Sequence, residues 1–73
     1  MKANKIAYRN LRAEMGRNNI GIGEMAKDLR CNRDTLSRKL SGKSPITLEE
    51  AFEIQQRFFP GEDVNYLFHT EKN

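Results

Sequence analysis

The side chains with most to offer chemically lie in one short stretch, CNRDTLSRKLSGK, from Cys31 to Lys43. Read as a helix starting after Asn32, it has a single apolar stripe, Leu36 and Leu40, one turn apart. At about 100° per residue, Asp34, Arg38 and Ser41 point nearly opposite that stripe, Ser37 lies beside them, and Arg33 sits sideways on the first turn. Arginine can donate two hydrogen bonds to O6 and N7 of guanine, aspartate can accept from N4 of cytosine, and serine can pair with several base edges. The N-terminal end of such a helix is the part that enters a major groove, which gives Arg33 weight despite its angle. The bland alternative is a solvated helix face, in which Asp34 and Arg38 form an i,i+4 pair contributing about 0.3–0.5 kcal/mol and Asp34 complements the helix dipole. The two are compatible, since an aspartate paired with Arg38 would also pre-orient its guanidinium.

Other chemistries find little support. One cysteine and one histidine in 73 residues provide neither a disulfide framework nor a zinc site. No nucleophile stands with a base, no carboxylate pair lies in a credible pocket, and no glycine-rich phosphate loop is present, so no enzyme, cofactor or small-molecule substrate is expected. No apolar run is long enough to span a membrane and MKANKIAYRN lacks the apolar stretch of a signal peptide, which predicts a cytoplasmic protein without a membrane partner. The formal charge of +3 conceals an asymmetry: residues 1–43 hold eleven Lys or Arg against four acids, and residues 44–73 hold two against six. A basic half joined to an acidic half suggests one face meant for a polyanion.

The elements that must position these side chains read as helices around one core, in a chain with room for one small domain. A first helix is expected over about residues 3–17, with Ala7, Leu11 and Met15 every fourth residue, Tyr8 alongside, and Gly16, Asn18 and Asn19 as the stop. A second runs from Ile22 to Leu29 with Met25, Ala26 and Leu29 inward, Gly21 at the cap and Glu24 as the acidic half of a capping box. Only Arg30 and Cys31 separate it from Asn32, the cap of the third helix, so residues 22–41 read as a helix-turn-helix with Cys31 buried in the turn and Gly42 ending it. The fourth helix, about 48–59, has Pro45 before it and a Thr47–Glu50 capping box, and should bury Ala51, Phe52, the stem of Gln55 and Phe58 or Phe59 before Pro60 and Gly61 stop it. A short fifth helix over about 64–68 should be capped by Asp63 and plugged by Leu67 and Phe68, leaving a frayed tail from His69 onward. The fold class expected is all-α with about five helices.

At this point IGIGEMAKDLRCNRDTLSRKLSGKSPITLEEAF resembles the lambda-repressor-like, Cro-type helix-turn-helix family, and most of all its small phage-associated regulators. The resemblance covers nearly the whole chain, from NLRAEM to FFP and VNYLF. It rests on Ala26 where two helices cross, on Leu29, Cys31 and Leu36 at core positions, on LSRKLSGK with Gly42, and on TLEEAF. It implies a five-helix domain that binds double-stranded operator DNA as a dimer on a palindromic site, with Arg33, Asp34, Ser37 and Arg38 at the positions that touch bases. Asn32, Ser41 and Lys43 match positions that meet phosphate, and Arg12 and Arg17 are further phosphate candidates. Three departures stand out, the first being Gly21 where the family has a Thr or Ser cap on the second helix. Arg30 occupies a turn position where the family has glycine in a left-handed conformation, a strain of about 1 kcal/mol, and Ile22 stands where a polar residue would grip phosphate.

The C-terminal aromatics either close the core or contribute a dimer seam, for which Tyr66 and Phe68 are the candidates. A chain of this length offers no separate dimerisation domain, so a weak homodimer on DNA is expected. The competing class is a helix-turn-helix fold serving as a protein-binding module, such as an antitoxin or anti-repressor, with the acidic helix and aromatic end as its working surface.

Overall fold

A computed structural model describes residues 6–70, and among them the order is α1 (Arg9–Arg17), α2 (Ile22–Leu29), α3 (Arg33–Leu40), α4 (Leu48–Phe58) and α5 (Val64–Leu67), with no strand. The protein is therefore a small all-α domain. α2 packs on α3, while α5 packs on both α1 and α4. The core they enclose contains Leu11, Met15, Met25, Ala26, Leu36, Leu40, Ile54, Phe59 and Leu67. Ala26, 3% exposed, supplies the small surface needed in α2, and Leu36 and Leu40 anchor α3 as their one-turn spacing requires. No helix among the described residues is long and apolar enough to cross a membrane.

The first three helices end in the same way. In α1, α2 and α3 the N–H groups of Ile20, Cys31 and Lys43 reach back to the carbonyls of Met15, Ala26 and Arg38 at 2.9, 3.0 and 2.9 Å. The residue before each, Asn19, Arg30 or Gly42, takes positive φ. These are Schellman terminations, which reverse the chain sharply and satisfy carbonyls the helix would otherwise leave open. The αL residue of the α2–α3 turn is thus Arg30, at φ 60° and ψ 41°, as its replacement of glycine predicts. α3 then starts at Asn32, whose Oδ1 accepts the Asp34 N–H at 2.8 Å. α4 has the full capping box: Thr47 Oγ1 accepts from the Glu50 N–H at 3.1 Å and Glu50 Oε1 accepts from the Thr47 N–H at 2.9 Å. Asp63 caps α5.

Several expectations are corrected. α1 begins at Arg9, because the Ala7 N–H is taken by the Leu40 carbonyl at 2.8 Å and Tyr8 is extended; residues 3–5 of the expected helix lie outside the described residues. Ala7 is consequently exposed, although Leu11 and Met15 are buried. No side chain caps α2, so Glu24 completes no capping box. In α4 the inward stripe is Ala51 and Ile54 with Phe58 half-buried, rotated from the expected one, and Phe52 is 45% exposed. Cys31 is an exposed free thiol on the rim of a pocket of about 120 Å³, floored by Leu36 and Ile54 and flanked by Lys39 and Glu50. Its backbone, through the bond to Ala26, is what the turn uses. His69 and Thr70 are exposed and outside any helix; the rest of the expected tail lies beyond the described residues.

Candidate nucleic-acid interface

Leu36 and Leu40 hold α3 from behind and leave its opposite face to solvent. Arg33, Asp34 and Arg38 are exposed and Ser37 is half-buried, so the four candidate base readers share one accessible surface. Arg33, on the sideways angle its position dictates, lies over α2. A β-carbon built on Gly23 would lie 3.5 Å from its Nε, an ordinary van der Waals contact, so this side chain packs across the start of α2.

The expected Asp34–Arg38 pair does not form: neither side chain has a hydrogen-bond or ion-pair partner among the described residues. Asp34 sits in the first turn of α3, where its charge complements the helix dipole, and Arg38 keeps all its donors. Three other cations are paired: Lys39, beside the Leu36 stripe of α3, with Glu50 of α4, Arg57 Nε with Glu53 Oε2 at 3.1 Å, and Arg17 Nε with Glu14 Oε1 at 3.3 Å. The bond from Lys39, followed by that from the Thr47 backbone, holds the Glu50 carboxyl below its ordinary pKa.

The phosphate candidates divide into two groups. Asn32 spends its carbonyl oxygen on the cap, which leaves the amide NH₂, the donor end, toward solvent. Lys43 is exposed just past the end of α3. The Ser41 hydroxyl donates its proton to the Arg38 carbonyl at 3.1 Å and has none left for a phosphate in that rotamer. Arg12 and Arg17 belong to α1: Arg12 lines a shallow groove with Asn10, Ala13, Gly16 and His69, and Arg17 faces the α4–α5 connection beside Phe58 and Glu62. No contact joins either to α3, and Arg17 is held by Glu14.

Both residues expected at a dimer seam also make contacts within the chain, and Tyr66 stays 37% exposed. The Tyr66 hydroxyl donates to Glu14 Oε2 at 3.0 Å, and its carbonyl accepts from Asn10 Nδ2 at 2.8 Å. The bond to Glu14 pushes the Tyr66 phenol above its ordinary pKa. Phe68 packs edge-on against Tyr8, with ring centroids 5.1 Å apart. Glu14 is the residue that the sequence reading missed. It is 5% exposed yet charged, and lies three residues after Leu11 on the inward side of α1. Helical spacing could have found it, but its residue type argued against burial.

No family model, curated protein or solved structure matches the chain.

Proposed function

We propose that the protein is a sequence-specific double-stranded DNA-binding regulator of the lambda-repressor-like, Cro-type helix-turn-helix kind, acting as a repressor by occupying a palindromic operator as a weak dimer. The observation that carries this reading is the outer face of α3, where the side chains of Arg33, Asp34 and Arg38 are exposed together without a hydrogen-bond or ion-pair partner among the described residues, while Leu36 and Leu40 anchor the helix from behind. Placed in a major groove, Arg33 and Arg38 would each grip a guanine through two hydrogen bonds, and Asp34 would accept from cytosine. Asn32 and Lys43, at the two ends of α3, would hold phosphates and set the register, which carries no sequence information of its own. No enzymatic activity and no cofactor enter this reading.

The test is a selection from random duplexes at two salt concentrations, followed by titration of variants on the enriched site. Arg38→Ala should weaken specific binding by about 1–3 kcal/mol and relax one base position. Equal binding of all sequences would refute a specific regulator, and an unaltered preference in Arg38→Ala would remove that residue from the readers. If the fold instead served a protein partner, changes at Glu53 would abolish the partner complex and both arginine variants would be silent.

A further inference from the structure

A second cluster of cations lies on α1, where Arg9 and Arg12, three residues apart and both exposed, share one face of the first turn. His69, just beyond α5, comes up beside them, so basic side chains from two distant parts of the chain line one open groove of about 580 Å³. Its remaining walls are Asn10, Ala13 and Gly16, and no carboxylate of the described residues lines it. The segment that carries His69 is pinned to α1 twice. Asn10 Nδ2 donates to the Tyr66 carbonyl at 2.8 Å, and Phe68 meets the Tyr8 ring edge-on with centroids 5.1 Å apart. We infer that this groove is an anion site that takes a phosphate group, a reading that needs nothing from the α3 face and is tested separately from it.

Local energetics oppose this arrangement in the free protein, and that is the argument for a ligand. The N-terminal end of a helix carries partial positive charge and favours acids. α1 has no acid in its first turn and places two arginines there instead. Lying one turn apart, they also repel each other. The Arg12 side chain has no hydrogen-bond or ion-pair partner among the described residues to relieve it. Gly16 weakens α1 further, since glycine is less favourable in a helix than alanine. A β-carbon there would meet nothing within 4 Å, so no packing among the described residues calls for glycine, and the floor of the groove is left open. An anion in the groove would offset the repulsion and supply the charge that this helix end lacks. A phosphate monoester suits it better than a carboxylate. It carries a charge of about −1.5 to −2 and three acceptor oxygens, so both arginines and His69 can be met at once. The same group is offered by a free phosphorylated molecule and by a nucleic-acid backbone passing α1, and the two arms of the test separate these sources.

In the first arm, DNA-free protein is titrated with inorganic phosphate and with adenosine monophosphate, against chloride at equal ionic strength, and followed by NMR. Saturable amide shifts should centre on Arg9, Arg12 and His69, and Arg12→Gln should weaken the response about tenfold, as the loss of one charge-assisted hydrogen bond requires. Melts check the fold: without phosphate the variant should melt no lower than wild type, because a charge opposing the helix dipole has gone, whereas phosphate should raise the wild-type Tm more than that of the variant. In the second arm, a duplex of random sequence is titrated over a range of salt. If the backbone is the source, Arg12→Gln should lower the slope of log affinity against log salt by about 0.9. A groove response to phosphate or the monophosphate identifies a free ligand; a lowered slope with a groove silent to both identifies the backbone. Three outcomes would overturn the site: phosphate shifts of equal size at Arg30, Arg38 and Lys43, a phosphate response that Arg12→Gln leaves unchanged, or a silent groove with an unchanged slope. Each leaves the α3 reading intact, and loss of sequence selection by α3 leaves the groove intact.

Discussion

Replacing Arg30 by glycine should make the protein more stable and, if it binds DNA as proposed, a weaker binder. Arg30 holds φ 60° and ψ 41° at the end of α2, a conformation that costs a residue with a β-carbon about 1–2 kcal/mol. Glycine removes that strain but brings greater freedom to the unfolded chain, an offset of about 0.5–1 kcal/mol. The net gain is about 0.5–1 kcal/mol, or about 2–8 °C in Tm for a chain of this size. The turn itself should survive, because its bonds are made by backbone: Arg30 N–H to the Lys27 carbonyl at 3.2 Å and Cys31 N–H to the Ala26 carbonyl at 3.0 Å. Arg30→Ala is the control. It deletes the same side chain but keeps the β-carbon and its strain, so it should lie within about 0.5 kcal/mol of wild type. Urea and thermal melts followed by circular dichroism measure both. On DNA the order changes. The Arg30 guanidinium is exposed, without a partner among the described residues, and stands three residues before Arg33. If it meets a phosphate, both variants should lower the slope of log affinity against log salt by about 0.9. Arg30→Gly no more stable than Arg30→Ala would refute the strain argument, and an unchanged salt slope would refute the phosphate contact.

Two further outcomes follow from charged groups buried or held between elements. Glu50→Gln keeps the capping-box geometry but removes the charge that Lys39 meets; with the two side chains 25% and 38% exposed, solvent screening limits the loss to about 0.5–1 kcal/mol at neutral pH. Because the folded protein holds the Glu50 carboxyl below 4.5, the stabilisation is present above that value and is lost as pH falls through the depressed one, so melts of wild type and variant should converge in acid. Tyr66→Phe withdraws a hydrogen bond from the buried carboxylate of Glu14 and should lower the urea midpoint; an unchanged midpoint would refute a structural role for that bond, and a selective loss of affinity for a palindromic site would place Tyr66 at a dimer seam.

What could be read from the sequence was whatever local chemistry decides. The Thr47–Glu50 box and the Asn32 cap depend on neighbours within a few positions, and each lies where its residue types require, whereas the αL position at Arg30 was legible only through the resemblance, since arginine itself does not favour it. The Leu36–Leu40 stripe was legible because only two apolar residues were available to α3. On α4 too many were. With Leu48, Ala51, Phe52, Ile54, Phe58 and Phe59 all apolar, several stripes fit the spacing, and packing against α5 decided which of them turned inward. The start of α1 was decided from a distance too, since the Ala7 N–H bonds to Leu40, 33 positions away, as the numbering of that bond shows. For the same reason Glu14 escaped notice: its burial is made tolerable by Tyr66, 52 residues later, and by Arg17.

The state of Asp34 and Arg38 bears on whether α3 is a working surface or a solvated one. Spaced i,i+4 on an exposed helix, they could pair, yet they do not. Forgoing such a pair costs about 0.3–0.5 kcal/mol, and the Asp34 charge recovers a similar amount at the N-terminus of α3. A guanidinium kept open for a guanine is worth about 1–3 kcal/mol of discrimination against a wrong base. Lys39, about 100° round the helix from Arg38 and beside the Leu36 stripe, reaches Glu50 instead, a bond that ties α3 to α4 and leaves the Arg38 guanidinium to solvent.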